Sequence, residues 1–225
     1  RFLGLTPAAM AVDLHPDYHA TQLGRELARR LGVRIIEVQH HHAHAAALLA
    51  EHGARELLAL AWDGTGLGTD GHIWGAELLW LPDDDRFERL ATFAPVPLPG
   101  GDVAVLDPRR QIVARWAALG LRPNAAWRRA LALSEIEAEI WSRTSTAGVA
   151  APQTHAAGRL FDSVAAALGV APARVTYEGQ SAIRLEGVAA RAHRPAPRFG
   201  DWWRATEQEG RLVLDWSPLF AHLFE

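Results

Sequence analysis

An α/β fold whose second half turns helical is what this chain predicts, on three observations. An amphipathic helical pattern at residues 19–31 is followed at once by the β-rich segment Val33–Val38. A continuous apolar stretch, Leu57–Trp62, empties into the Gly/Asp-rich run Asp63-Gly64-Thr65-Gly66-Leu67-Gly68-Thr69-Asp70-Gly71. Beyond a Pro/Gly-rich connector at residues 95–108, helical periodicity dominates.

In the first helix Leu23, Leu27 and Leu31 share a face, Arg25, Glu26, Arg29 and Arg30 lie largely opposite, and Gly32 closes it. Val33–Val38 is short and rich in β-branched residues, so a buried strand is expected. A second helix is predicted from His40 to Glu51, ending at Gly53. Leu57–Trp62 is the next strand, Asp70-Gly71 is the best hairpin pair after it, and strands at His72–Leu81 and Phe87–Pro95 follow. Helices are expected at Pro108–Leu119, Asn124–Leu133, Ser134–Arg143, His155–Leu168 and Gly179–Ala192. Pro195–Gly200 reads as a linker, Leu212–Asp215 as a short strand, and Ser217 as the cap of a last helix. Residues 1–95 and 96–225 are therefore expected to be an α/β part and a mainly helical part of one domain.

Composition narrows the function classes. The 225 residues are 49% hydrophobic and 22% charged, which allows a sizeable core. A net charge of −3 argues against a protein whose main work is gripping nucleic acid or an anionic membrane. The absence of cysteine excludes a disulfide scaffold, a thiolate metal site and a Cys nucleophile. No apolar run approaches the roughly 20 residues of a membrane span. All 23 basic residues are arginine, which reads as base composition of the genome. The start at Arg1-Phe2-Leu3 and the end inside a helical pattern lead us to expect a piece of a longer protein. Of the 11 histidines, seven fall between His15 and His52.

Four strings carry chemistry. In Gln39-His40-His41-His42-Ala43-His44, helical geometry puts His40 and His44 one turn apart on one face, where two imidazoles can share a metal ion. His41 and His42 point elsewhere and suit supporting or substrate-facing roles. The alternative is a His-rich capping segment. Asp63, where a strand meets a Gly-rich turn, can add a hard oxygen ligand, or can simply bond its own turn backbone. In Gly158-Arg159-Leu160-Phe161-Asp162, Gly158 lets a flat ligand approach and Asp162 can accept from ribose hydroxyls, although a plain helix explains the string equally. Tyr177-Glu178-Gly179-Gln180 opens a helix whose free amides suit an anion.

Taken together with Asp13-Leu14-His15-Pro16-Asp17-Tyr18, Trp74-Gly75-Ala76-Glu77 and Pro97-Leu98-Pro99-Gly100-Gly101-Asp102, these strings closely resemble the C-terminal domain of the HypF carbamoyltransferase family. They occur in the family's order over roughly residues 10 to 190. That domain is related to the tRNA threonylcarbamoyl-transfer proteins. The resemblance implies a sugar kinase–actin-like (RNase H-like) fold, here expected to be incomplete at both ends. A phosphate-loop hairpin would precede Arg1, and a further metal-binding Asp and a second nucleotide loop would follow Glu225.

The resemblance implies carbamoyl transfer from carbamoyl phosphate, through ATP-derived carbamoyl-adenylate, to the C-terminal Cys of a HypE-type acceptor. The product becomes a cyanide ligand of [NiFe] hydrogenase. It also implies iron or zinc at His40, His44 and Asp63. A nucleotide would be lined by Gly158, Asp162, Glu178 and Gly179, with His41 or His42 as acceptor of the thiol proton, in a cytoplasmic protein. The family's upstream adenylate-forming module is not within these residues, and His155-Ala156 stands where small hydroxyl residues are usual. Two other readings stay open: an O-carbamoyltransferase for a small-molecule alcohol, and a non-catalytic metal- or partner-binding fragment.

Overall fold

Strand and helix alternate through the first sixty residues of the computed structural model, which describes residues 4, 6–83, 85–192 and 201–225. Strand β1 (Ala9–Asp13) leads into helix α1 (His19–Leu31), strand β2 (Arg34–Val38), helix α2 (His40–His52) and strand β3 (Leu57–Trp62). β1 and β2 pair in parallel with Asp13 opposite Val38, and α1 supplies the crossover that a parallel pair requires. Both helices end at glycines, Gly32 and Gly53, whose amides bond back to Ala28 and Leu49.

Antiparallel strands β4 (Ala76–Leu81) and β5 (Glu88–Phe93) follow β3, then the two-residue β6 (Val96–Pro97). The helical half comprises α3 (Asp102–Leu106), α4 (Pro108–Ala118), α5 (Ala125–Ala130) and α6 (Glu135–Ala147). Short β7 (Gln153–Thr154) separates these from α7 (Ala157–Ala167) and α8 (Gln180–Ala189). The chain closes with the hairpin β8 (Arg204–Gln208) and β9 (Arg211–Asp215) and helix α9 (Ser217–His222). Sequence-readable caps set several of these ends: Asp107 accepts from the Arg109 amide ahead of Pro108, and Ser134 and Glu137 form a reciprocal capping box.

The larger sheet runs β3-β4-β5-β9-β8, with only the β5–β9 pair parallel. The last strands of the chain thus complete a sheet begun by its first half. Between this sheet and the helices lies a core of Phe93, Ile112, Trp116, Trp141, Leu160 and Phe220. A second cluster, including Leu49, Trp74, Leu79 and Leu81, fills the space between α2 and the β3–β4 end of the sheet.

Several expectations are corrected. β2 is almost wholly exposed, because a two-stranded sheet has no second layer to cover its outer side chains. β3 is an edge strand, and Leu58, Leu60 and Trp62 stand 60%, 64% and 51% exposed on its uncovered face. Residues 72–75 do not extend β4, because their backbone bonds three different partners: Ile73 to Gln153, Trp74 to Gly66, and Gly75 to Asp63. His155 likewise is drawn to Ile73 and lies outside α7. The connector at 95–108 contains α3, and Leu212–Asp215 has a partner, β8, that apolar patterning does not mark. The expected linker Pro195–Gly200 lies outside the described residues. Among the described residues no helix is long and apolar enough to cross a membrane.

Trp116 is 0% exposed, and its indole donates to the Phe220 carbonyl, tying α4 to α9. Trp116→Ala is expected to cost about 3–5 kcal/mol, read as a lower midpoint in urea denaturation.

Candidate metal centre and adjoining cleft

Gln39 caps α2, its side-chain oxygen accepting from the His42 amide at 2.8 Å. His40 therefore begins the helix, and His44 follows one turn later with its Nε2 3.3 Å from His40 Nε2. Asp63 leaves the end of β3, and its Oδ2 lies 3.2 Å from the same nitrogen. Donor atoms of His40, His44 and Asp63 fall within 4.8 Å of one another. Metal bonds of roughly 2.0–2.2 Å place tetrahedral ligands about 3.3–3.6 Å apart, so the donors need little movement to share an ion.

A residue not singled out by spacing completes the arrangement. Asp13, the last residue of β1, holds His40 Nδ1 at 2.7 Å. A carboxylate on Nδ1 fixes the ring and presents Nε2 inward, the usual support of a metal-bound histidine. Two imidazoles and a carboxylate so oriented fit a divalent iron or zinc ion.

The same contacts set the proton affinities. For His40, the hydrogen bond to Asp63 outweighs burial, and with Asp13 raises its pKa from 6.5 to about 9. Burial works to raise Asp63, but the His40 bond and the Gly64 amide, 2.6 Å from Oδ1, hold it down at about 2. Asp63 thus makes the turn bond of the simpler reading while its other oxygen faces the histidines.

His41 and His42 do not meet the expectation of a proton acceptor for an incoming thiol. With its oxygen committed to the His42 amide, Gln39 directs its NH2 group at His41 Nδ1, 3.1 Å away. Nδ1 therefore accepts, Nε2 carries the proton, and Nε2 points at Asp63 Oδ2, 3.6 Å distant. The ring is 1% exposed, and burial pushes its pKa down. His42 is buried against Phe87, with ring centroids 5.0 Å apart. Neither lines the cleft beside the histidines.

That cleft, of about 580 Å³, begins at Gly64 and Thr65, immediately after Asp63. Leu98 and Leu106 contribute apolar wall, and Arg159 and Glu178 contribute charge. Of the four residues assigned to a nucleotide, only Glu178 lines it. Asp162 is buried behind Arg159, its Oδ2 2.9 Å from Arg159 Nη2, and burial raises its pKa. Gly158 acts by its smallness: a Cβ there would stand 3.1 Å from Gly64 Cα. Gly179, at φ +71°, caps α8 next to Glu178. Arg159 is the cleft residue that single-residue reasoning passed over. The signal was present, since Asp162 three residues on is its helical neighbour.

The Gly-rich run is equally a matter of close approach. A Cβ on Gly66 would lie 2.5 Å from His41 Cε1 and 3.1 Å from His40 Cβ. Only glycine lets this loop pass over the two histidines.

Fold and site together define a Kae1-like domain of carbamoyltransferase type. Residues 59–225 match the family model described as carbamoyltransferase, Kae1-like domain, second subdomain, and residues 1–51 match that of the HypF Kae1-like domain. The chain belongs to the HypF carbamoyltransferase family. It is 46% identical to the carbamoyltransferase HypF of Rhodobacter capsulatus over 188 residues, covering 82% of this chain and 25% of the relative. It is 42% identical to a HypF homolog of Cupriavidus necator over 220 residues, covering 96% of this chain and 54% of the relative.

Among solved structures, a full-length HypF in a phosphate- and nucleotide-bound form superposes with a TM-score of 0.80 at 32% identity, over 96% of this chain and 32% of that one. The HypF of T. kodakarensis gives 0.77 at 30% identity, over 95% and 28%. The chain thus spans about a quarter to a half of the length of these relatives.

The His40 pair has a pH signature. A folded-state pKa of about 9 against 6.5 means its stabilisation is complete below pH 6.5 and is lost as pH rises through 9. In the presence of chelator, Asp63→Asn is expected to bring the His40 NMR titration down toward 6.5 and to flatten stability between these pH values. An unshifted His40 titration in that variant would refute the pairing.

Proposed function

We propose that this chain carries the transfer step of a HypF-type carbamoyltransferase. The carbamoyl group passes from carbamoyl-adenylate to the terminal cysteine of a HypE-type acceptor, for synthesis of a hydrogenase cyanide ligand. The observation that supports the reading best is the convergence of His40, His44 and Asp63 next to the Gly64–Thr65 end of a cleft carrying Arg159 and Glu178. The phosphate- and nucleotide-bound HypF relative favours a nucleotide as the cleft's occupant. ATP and carbamoyl phosphate enter as substrates of the longer protein.

His40, His44 and Asp63 would hold a divalent iron or zinc ion, which would supply Lewis acidity when bound. The chain's own residues provide orientation. Asp13 keeps His40 Nε2 directed at the ligand cluster. Arg159, aligned by Asp162, offers its guanidinium to the adenylate phosphate, while Glu178 accepts from ribose hydroxyls. Leu98 and Leu106 give the base an apolar wall. Holding the leaving nucleotide through the transition state favours transfer over loss of the anhydride. These 225 residues hold no cysteine, so the accepting thiol lies outside them.

The test supplies the protein with carbamoyl-adenylate and a peptide ending in cysteine, and reads peptide mass. One carbamoyl adduct on the thiol is expected, with formation abolished in His44→Ala. Arg159→Ala should raise KM for the adenylate more than it lowers kcat. Carbamoylation of an alcohol in place of the thiol would favour the O-carbamoyltransferase reading. Retention of neither metal nor adenylate would favour a non-catalytic fragment.

The supporting carboxylate has its own test. Asp13→Asn is expected to weaken metal binding about 10–100-fold with the fold retained, measured by competition with a chromophoric chelator.

A further inference from the structure

A second group of metal-ligating side chains lies on the far part of the Gly-rich loop, apart from the centre described above. We propose that Asp70, His72 and His155 form a second transition-metal site, taking a zinc-class divalent ion through two imidazole nitrogens and one carboxylate.

The donor atoms of these three residues lie within 4.8 Å of one another. His72 Nδ1 and His155 Nε2 are 3.1 Å apart, close to the spacing of two ligands on one tetrahedral ion. His155 is oriented for this role by the backbone. Its Nδ1 lies 2.6 Å from the Phe93 carbonyl, which can only accept, so Nδ1 carries the proton and Nε2 turns a lone pair toward His72. The two histidines are 83 residues apart in sequence, yet their segments are joined: the His155 amide donates to the carbonyl of Ile73, the neighbour of His72, at 2.8 Å.

Asp70 is held just as firmly. Its Oδ1 accepts from the His72 amide at 3.0 Å and from Trp74 Nε1 at 2.8 Å, and its Oδ2 accepts from Arg89 Nη1 at 2.9 Å. Oδ1 is thereby filled by its two donors, and Oδ2 keeps one further lone pair to offer. The adjacent guanidinium does not exclude a cation. Arg89 is bound to the buried Glu77 at 2.6 Å as well, so two carboxylates surround one positive charge. Its guanidinium also sits 4.0 Å over the Trp74 ring.

The cluster opens on a cleft of about 280 Å³ bounded by Pro95, Gln208 and Arg211, where an ion can enter and keep water. Arg211 pairs with Glu209 at 2.6 Å. Imidazole donors with a single carboxylate favour zinc and its neighbours over magnesium or calcium. An ion here would join the loop that starts at Asp63 to the segment leading into α7, next to Ile73 and Thr154, which line the larger cleft.

Equilibrium dialysis of the full chain against Zn²⁺, with metal measured by mass spectrometry, tests the site. Two equivalents are expected for the unaltered protein, and one for His72→Ala, a half-buried position chosen in preference to the buried His155. The double variant His40→Ala/His44→Ala is expected to keep one equivalent, and adding His72→Ala to it should leave none. An unchanged zinc count in His72→Ala overturns the proposal. A double variant that loses nothing, while His72→Ala still loses one, counts against the first centre and leaves the second standing. His155→Gln with native circular dichroism should also lose one equivalent, and retention of both in that variant would equally overturn the site.

Discussion

One imidazole joins parts of the chain that share no sheet. His40, at the start of α2, is held by Asp13 from the end of β1 on one ring nitrogen and faces Asp63 from the end of β3 on the other. β1 belongs to the two-stranded sheet and β3 to the five-stranded one, so this ring is a polar tie between the two. Two carboxylates around one imidazole explain why the ring's pKa is raised to about 9. A metal ion must displace the Nε2 proton. The affinity of the proposed ion would therefore rise with pH as His40 releases that proton.

The loop that brings Asp63 to this ring owes its glycines to crowding. Gly66 passes over His40 and His41, and Gly158 lets the start of α7 meet Gly64. Both contacts tighten the same corner, where the metal cluster ends and the larger cleft begins. A Gly-rich turn after a strand invites a phosphate-cradle reading. Here the close approach is to histidine rings and to a neighbouring helix, which means the loop builds the wall of the site.

Much of this was legible in the residues. The first two helices were readable from period and terminal glycine, and His40/His44 from helical spacing, because these signals are local. What escaped was decided by neighbours in space. The exposure of β2 and β3 depends on which layers cover them, and β8 pairs with β9, which itself joins the sheet through β5. Asp13 could not be assigned from spacing to His40 because the contact crosses from one element to another. Asp162 was read as facing the ligand, but packing turns it behind Arg159, which takes the cleft position. For His41, nothing in the string distinguishes donor from acceptor; the Gln39 amide, itself oriented by capping α2, makes that choice.

The histidine excess now divides into roles that composition alone cannot separate. His40 and His44 bring their Nε2 atoms within 3.3 Å of one another, beside Asp63. His41 is buried with its Nδ1 on the Gln39 amide, and His42 packs beside Phe87. His72 and His155 come together from distant segments because Ile73 and Thr154 lie side by side in the backbone. In every pair the partner on the remote ring nitrogen determines what the near nitrogen can do: carboxylate for His40, amide NH2 for His41, carbonyl for His155. Changing those partners while leaving the histidines intact should therefore alter the chemistry almost as much as removing the rings, since each ring would then be free to present the wrong tautomer.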